Sequence, residues 1–412
     1  MRTNDGVLHV VWRNQTGPNT EDLLHTAISA AGTIGATVPI QSGWASLNNA
    51  ALTVDPAGLR AFWGGIRTTD AGDANHELST ALSTDGGVSW VLTPGSIVAL
   101  GAQPYGSPMS AATLPSGTAL QAWAGTLGTW VHSGLDPSSP NFEYQSPMGN
   151  YGYFPGIAAD AGGAAMLAWY SNATGHLGVF ARGVNADGSP QGAAINMPST
   201  ADMNVGQLSR TPIVARPVGG GFYVAYGTGY PTQNRIRIWR VGATSAPLLA
   251  HTGVNSVVAL ATDPNGRLWL AWTDGQFGST HVLARRSNAS ATVFGATVNA
   301  GAAKGASATY VLDASATASA LDLLALFGIG AEPGGATYHA RIQPGLTLTA
   351  RRSGSKVRYT VTDAGDPVRN ATVKAAGKSA TTDAKGRAAL TLRKRAKAKA
   401  SAPGYATATA RK

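Results

Sequence analysis

The apolar positions of this chain fall in short runs, β-branched or aromatic, each bounded by Gly, Pro, Asp or Asn. That is the pattern of β-strands separated by tight turns. One run recurs. A small polar turn with Gly leads into a short strand that closes on an aromatic: GVLHVVW (6–12), GLRAFW (58–63), GTALQAW (117–123), GAAMLAW (163–169), GFYVAY (221–226), GRLWLAW (266–272) and ALDLLALF (320–327). The closing aromatics are Trp12, Trp63, Trp123, Trp169, Tyr226, Trp272 and Phe327, spaced 51, 60, 46, 57, 46 and 55 residues apart.

Each copy sits in a larger unit. A strand precedes the turn, as in NAALTVDPAG, SAATLPSG and VVALATDPNG. A third follows a variable loop, as in ELSTALSTDGG, LGVFARGVNADG and RIRIWRVG, and a weaker fourth follows that, as in WVLTPGS. The unit is therefore four antiparallel strands, A to D. The B strands are apolar on both faces, as inner strands packed between neighbouring units should be. A period near 40–50 residues with several short strands per unit is the signature of propeller blades. The predicted fold is all-β: a β-propeller of four-stranded blades over residues 1–344. Seven copies favour seven blades, although the first lacks a clear A strand. Six complete blades with a shared closing blade, or a pair of β-sandwiches, are the alternatives.

The segment STDGGVSW (83–90) stands at a C–D turn. Asp85 can accept hydrogen bonds from its own turn, Gly86 and Gly87 allow positive φ, and Trp90 can fold back beneath. Ser83, Asp85, Gly87, Ser89 and Trp90 match the Asp-box pattern, so the chain resembles sialidases and related BNR-repeat propellers. Other repeats carry only degenerate forms, such as NADG (185–188). In that family the box is structural and lies on the face away from the substrate. It speaks for a fold and not for catalysis.

Residues 345–412 change character. They contain sixteen Lys and Arg against three Asp, whereas residues 1–344 contain fifteen Lys and Arg against eighteen Asp and Glu. The net charge of +10 thus belongs to the tail, and the nearly neutral larger part argues against a nucleic-acid groove there. The tail strings DAGDPVRNATV, TDAKG and APGY resemble the small Ig-like, carboxypeptidase-regulatory-like sandwich modules of exported bacterial proteins. Its run RKRAKAKA (393–400) is expected either to be a solvated strand face or to meet an anionic surface polymer.

With 412 residues and 43 % hydrophobic content there is ample material for a core. Charged residues are only 13 %, with 52 Gly and 22 Pro, a turn-rich β composition. There is no cysteine, which excludes disulfides, thiolate metal sites and cysteine nucleophiles. No apolar run is long enough for a membrane-spanning helix. MRTNDGVLHVVW has no signal-peptide pattern and enters a strand at once, so upstream sequence is expected to be missing or processed away. The eight histidines show no metal-binding grouping, and no cofactor is expected.

In a propeller the B–C loops and D–A links build the substrate face. The segments NYGYFP (150–155) and GAQPYG (101–106) make that face rich in aromatics and amides, which suits sugars: stacking on C–H faces, bonding to hydroxyls. Expected ligand contacts are Trp44, Gln103, Tyr105, Tyr151, Tyr153, Tyr170 and Tyr230. For any single aromatic, packing between blades is the competing account. The sialidase resemblance implies three arginines for a substrate carboxylate, a Tyr nucleophile with a Glu, and an Asp acid. The residues that could take these roles are Arg13, Arg67 and Arg210, then Tyr153 with Glu332, and Asp70 or its neighbour Asp73. The family's Arg-Ile-Pro motif is missing, and Glu is scarce: Glu21, Glu77, Glu143 and Glu332 only. The expectation is an exported or cell-surface bacterial propeller, monomeric, that recognises glycan or protein without sialidase catalysis. The alternative is an exo-acting glycoside hydrolase of sialidase type.

Overall fold

The computed structural model describes residues 1–48, 50–68, 77–95, 109–125, 128–145, 152–173, 176–200, 211–229, 234–251, 257–275, 280–329 and 335–411. Among them there is no α-helix, and the strands pair in antiparallel ladders. The chain divides into two compact units, residues 1–215 with 221–250, and residues 216–220 with 251–412.

In the first unit, strands β1 (Leu8–Gly17), β2 (Thr20–Ile28), β3 (Ile34–Leu47), β4 (Ala51–Asp55), β5 (Gly58–Arg67), β6 (Glu77–Ser83) and β7 (Val91–Leu92) form one seven-stranded sheet. Three four-stranded sheets follow. They are β8 (Ser110–Thr113) to β11 (Phe142–Gln145), β12 (Gly152–Ala159) to β15 (Pro190–Asn196), and β16 (Ile213–Ala215) to β19 (Leu248–His251). The B strands of these sheets include β9 (Ala119–Gly125), β13 (Ala165–Ala173) and β17 (Phe222–Thr228).

Strands β9 and β17 are buried along their whole length. The reason is packing on both faces. Trp169 of β13 shares one core with Leu120 and Val131 of the preceding sheet. Tyr170 of the same strand shares another with Val224 and Tyr226 of the next. The closing aromatics Trp63, Trp123 and Tyr226 have no exposed surface. Deleting one such ring from a packed core typically costs about 3–5 kcal/mol. Trp12 is only half-buried, because β1 is the edge of its sheet.

The first sheet departs from the predicted separate units. The end of β3 pairs with the end of β5 (Trp44↔Arg67, Leu47↔Gly65), while β4 pairs with the start of β5 (Ala51↔Phe62). The fourth strand of the first repeat, ending at Leu47, and the first strand of the second, beginning at Ala51, therefore share β5 as partner. Just past the end of β3, Asn48 N–H donates to Gly64 C=O at 2.7 Å.

In the second unit, β20 (Val258–Thr262), β21 (Leu268–Asp274), β22 (His281–Arg286) and β23 (Val298–Gly301) form a four-stranded sheet. Strands β24 (Ala306–Ala316), β25 (Leu321–Ile329) and β26 (Gly335–Ile342) form a three-stranded one. The two share a core of Trp269, Val282, Leu312, Leu323 and Phe327.

The basic tail makes two further four-stranded sheets. One is β27 (Thr347–Ser353), β28 (Lys356–Asp363), β29 (Asp366–Pro367) and β32 (Arg387–Thr391). The other runs in the order β31 (Lys378–Thr381), β30 (Thr372–Ala375), β33 (Lys397–Ser401), β34 (Ala408–Arg411). Strict alternation of buried and exposed residues, as in β32 and β33, gives the tail its own core around Val357, Tyr359, Val361, Val373 and Leu390.

That tail is bolted to the sheet of β20–β23. Arg286 pairs with Asp363 in full burial and stacks against Trp269 and Tyr405. Arg267 reaches Asp366 at 2.7 Å and Asp363 at 3.5 Å. Asp366 also accepts from the Ala289 N–H at 3.0 Å.

Candidate functional site

Two expected site arginines, Arg13 and Arg67, come to the same end of the first sheet, together with Trp44. Arg13 opens the exposed outer half of β1, and Arg67 is the last residue of β5. Backbone register sets Trp44 opposite Arg67, and the guanidinium lies over the indole at 5.6 Å. Trp44 meets Trp63 edge to face at 5.9 Å. Gly65 makes this packing feasible, because a Cβ there would stand 2.7 Å from the Trp44 ring and 2.5 Å from the Ser46 carbonyl.

Each arginine already faces a glutamate. Arg13 lies 3.6 Å from Glu21, and Arg67 lies 3.1 Å from Glu77. Arg13 also donates to the Leu47 carbonyl at 2.9 Å, while Glu21 accepts from the Leu47 N–H at 2.6 Å. The pair thus brackets the backbone of one residue, Leu47, at the β3 end. Arg67 and Glu77 are each about one-third exposed, and the Arg13 side chain is half exposed. The end of the sheet is a partly open surface of two ion pairs over a buried tryptophan. Such a surface can meet a neutral, hydroxyl-rich ligand by hydrogen bonding. A carboxylate ligand would first have to displace a glutamate.

The partner glutamates were not singled out as site residues in the sequence. A signal was present: in both of the first two repeats a C strand carries Glu in its first two residues, TEDLLHTAI and ELSTALS, shortly after an Arg of the preceding B strand.

Among the other expected ligand and catalytic residues, Tyr170 is the one whose side chain is described, and it packs in a different core from Trp44. Trp44 and Tyr170, expected to face a ligand, are 3 % and 5 % exposed. Both pack into apolar cores: Tyr170, on a B strand, between two successive sheets, and Trp44, on β3, against Leu23, Leu47 and Trp63. Tyr153 pairs its backbone with Tyr170 in the ladder of β12 and β13, and its side chain lies outside the description. Asp70, Asp73, Gln103, Tyr105, Tyr151, Arg210, Tyr230 and Glu332 lie outside the described residues. Among the described residues no group of three His, Asp or Glu is placed to hold a metal ion.

At the other end of β6 lies the 83–90 turn, about 20 Å away along the strand. Asp85 accepts from the Ser83 hydroxyl (2.7 Å), the Val88 and Ser89 N–H groups (3.1 and 3.0 Å) and the Ser89 hydroxyl (2.6 Å). Led by the Ser89 bonds, these hold its carboxyl well below the usual carboxylate range. The Gly87 N–H donates to Ser83 Oγ at 2.7 Å. Beneath the turn, Trp90 packs edge to face on His25, which stacks on His9 and hydrogen-bonds it at 3.1 Å.

The two glycines of the turn are not equivalent. Gly87 has φ +91°, and a Cβ there would lie 2.2 Å from the His25 ring; Gly86 has φ +73° and open space around it. Gly86→Ala should therefore cost only the left-handed backbone penalty, about 1 kcal/mol. Gly87→Ala adds overpacking and should cost about 3 kcal/mol or more. Urea unfolding of the two variants side by side checks the order.

A shallow cavity of about 290 Å³ also lies at the turn end, lined by Asp55, Arg60, Ser116 and Thr118 among others. Its charges are internally matched: Arg60 pairs with Asp55, which caps its own turn through the Ala57 and Gly58 N–H groups.

No known family profile matches the chain, and no curated protein matches it. Solved structures do resemble it at low identity. A protein of unknown function from Dyadobacter fermentans has 12 % identity and a TM-score of 0.47, over 82 % of this chain and 91 % of that one. A polysaccharide lyase of family PL25, an ulvan lyase, has 11 % identity and a TM-score of 0.44, over 84 % of this chain and 91 % of that one. PorZ, a surface component of the type-IX secretion system of Porphyromonas gingivalis, has 10 % identity and a TM-score of 0.45, over 100 % of this chain and 58 % of that one. At TM-scores below 0.5 none of these carries a fold or an activity over to this chain. It is an all-β protein of successive antiparallel sheets, most of them four-stranded, on the strength of its own strand pairing.

Proposed function

We propose that residues 1–344 are a sialidase-like, BNR-repeat β-propeller of seven blades, that 83–90 is its Asp box, and that residues 345–412 are an Ig-like sandwich. On this reading the protein acts outside the cell or at its surface, recognising a glycan or protein at the propeller mouth without sialidase catalysis. Blade succession is supported by the sheets in order: three strands in β1–β3, then four in each of β4–β7, β8–β11, β12–β15, β16–β19 and β20–β23, and three in β24–β26.

The observation that carries the non-catalytic reading is the pairing of Arg13 with Glu21 and of Arg67 with Glu77. A sialidase-type site needs guanidinium forks free to meet a substrate carboxylate. Here two of the three arginines considered are engaged by glutamates of their own repeats. The half-open Arg13–Glu21 and Arg67–Glu77 pairs offer donors and acceptors that suit sugar hydroxyls.

The test is a fluorogenic sialoside assay and a glycan array run on the same folded protein. No turnover above buffer is expected, with glycan retention that falls at least tenfold in Arg67→Ala. Turnover that collapses in Arg67→Ala, Arg210→Ala and Tyr153→Phe would replace this reading by the arginine-clamped hydrolase.

A further inference from the structure

The basic tail run is not one uniform charged stretch in three dimensions. Arg393, Lys394 and Arg395 are exposed in the turn after β32, whereas Lys397 and Lys399 alternate outward from β33 between the buried Ala398 and Ala400. Strand pairing then brings in a cation from 25 residues upstream. Lys374, exposed on β30, sits directly opposite Lys399, and Lys397 is in register with Arg411. Like charges placed directly across two strands destabilise a sheet. The module's own acids are committed elsewhere. Of the module's three acids, Asp363 and Asp366 are engaged by Arg286 and Arg267, and Asp383 caps its own turn by accepting from Lys385 and Arg387 N–H groups. The other described residues that register sets on this face are hydroxylic, Thr372, Ser379, Thr381, Ser401 and Thr409, with no aromatic among them.

We propose that the outer face of the β31–β30–β33–β34 sheet binds a phosphodiester-linked polyol or sugar chain, through Lys374, Lys397 and Lys399 extended by the Arg393–Arg395 turn. Lysines two residues apart on one strand stand about 7 Å apart, and neighbouring strands about 5 Å apart. A flexible polymer with one negative charge per monomer can follow that grid. Lysine offers point charges with freely rotating donors, which suits single phosphate contacts more than the planar fork a carboxylate prefers. The lack of a ring on the face disfavours single-stranded nucleic acid, whose bases need aromatic platforms.

The test uses the full chain and a defined polymer, poly(glycerol phosphate), in an anisotropy titration at several salt concentrations. Uncharged dextran and a single-stranded oligonucleotide of matched charge are the comparators. The expected result is binding of the phosphate polymer and not of dextran, with log affinity falling linearly in log salt. Lys374→Gln/Lys399→Gln should weaken binding at least tenfold and reduce the slope by about 1.4, two charges at 0.7 each. The same double variant should melt at or above the parent temperature, because it removes the cross-strand repulsion. Unchanged binding in that variant overturns the proposal. So does an equal loss from Arg351→Gln/Arg358→Gln on the other sheet, which would mean a general polycation. Oligonucleotide binding as tight as that of the polymer would assign the face to nucleic acid instead.

Discussion

Asp363→Ala should destabilise the second unit by about 3–5 kcal/mol, the cost of leaving a buried charge without its partner. Asp363 is 1 % exposed and faces Arg286, itself 6 % exposed, with Arg267 on the same oxygen. Removing the carboxylate strands the Arg286 guanidinium between Trp269 and Tyr405, where water cannot reach it freely. Asp366→Ala, at a carboxylate about one-third exposed, should cost far less, about 1 kcal/mol, because solvent takes over its role. Replacing Arg286 by Met in the Asp363→Ala background should recover part of the loss, since an apolar pair avoids the stranded charge. Thermal unfolding of the three variants tests this. Equal melting temperatures for Asp363→Ala and Asp366→Ala would refute the role given to the buried pair.

Acidification should loosen the first sheet well before carboxylates titrate. His9 and His25 are 3 % and 1 % exposed, stacked on each other under the 83–90 turn. Burial pushes both imidazoles down to about 4, and the charge of His9 adds to the effect on His25. Asp5 alone pulls the other way on His9, and it is occupied by the Thr3 hydroxyl. The unfolded chain has ordinary histidines near 6.5. Between pH 6.5 and about 4 the unfolded state therefore binds more protons, so stability falls as pH falls across that window and is fully retained above it. The first proton on this pair costs on the order of 3 kcal/mol once the pH is below 4. His25→Phe keeps a stacked ring without the titration and should flatten the profile between pH 6.5 and 4. An unchanged slope in that variant would put the acid sensitivity elsewhere.

The strand-and-turn plan was readable in the residues themselves. The runs GLRAFW, GTALQAW and GFYVAY become β5, β9 and β17, each buried on both faces, because a B strand between two packed sheets has no polar side to show. The turn chemistry of STDGGVSW is equally local: Asp85 bonds residues no more than four positions away. The alternation in RAALT and KAKAS announces a one-sided strand with period two. The site was much less legible. Arg67 lies over Trp44 and Arg13 comes to the same end of the sheet, but the glutamates that engage the two arginines, and the burial of Trp44 and Tyr170, follow from strand pairing and sheet packing.

Local pattern specified an all-β chain of recurring antiparallel units that ends in a basic stretch, because side-chain period and turn geometry act between near neighbours in the chain. Only the tertiary structure decided which residues meet across strands. It joined β3 to β5, set His9 on His25 beneath a turn some sixty residues on, buried Asp363 against Arg286 and aligned Lys374 with Lys399. Those contacts depend on register and on the face each sheet presents to the next. No local pattern encodes either, since shifting a strand by one residue would leave its composition unchanged and send every side chain to the opposite face.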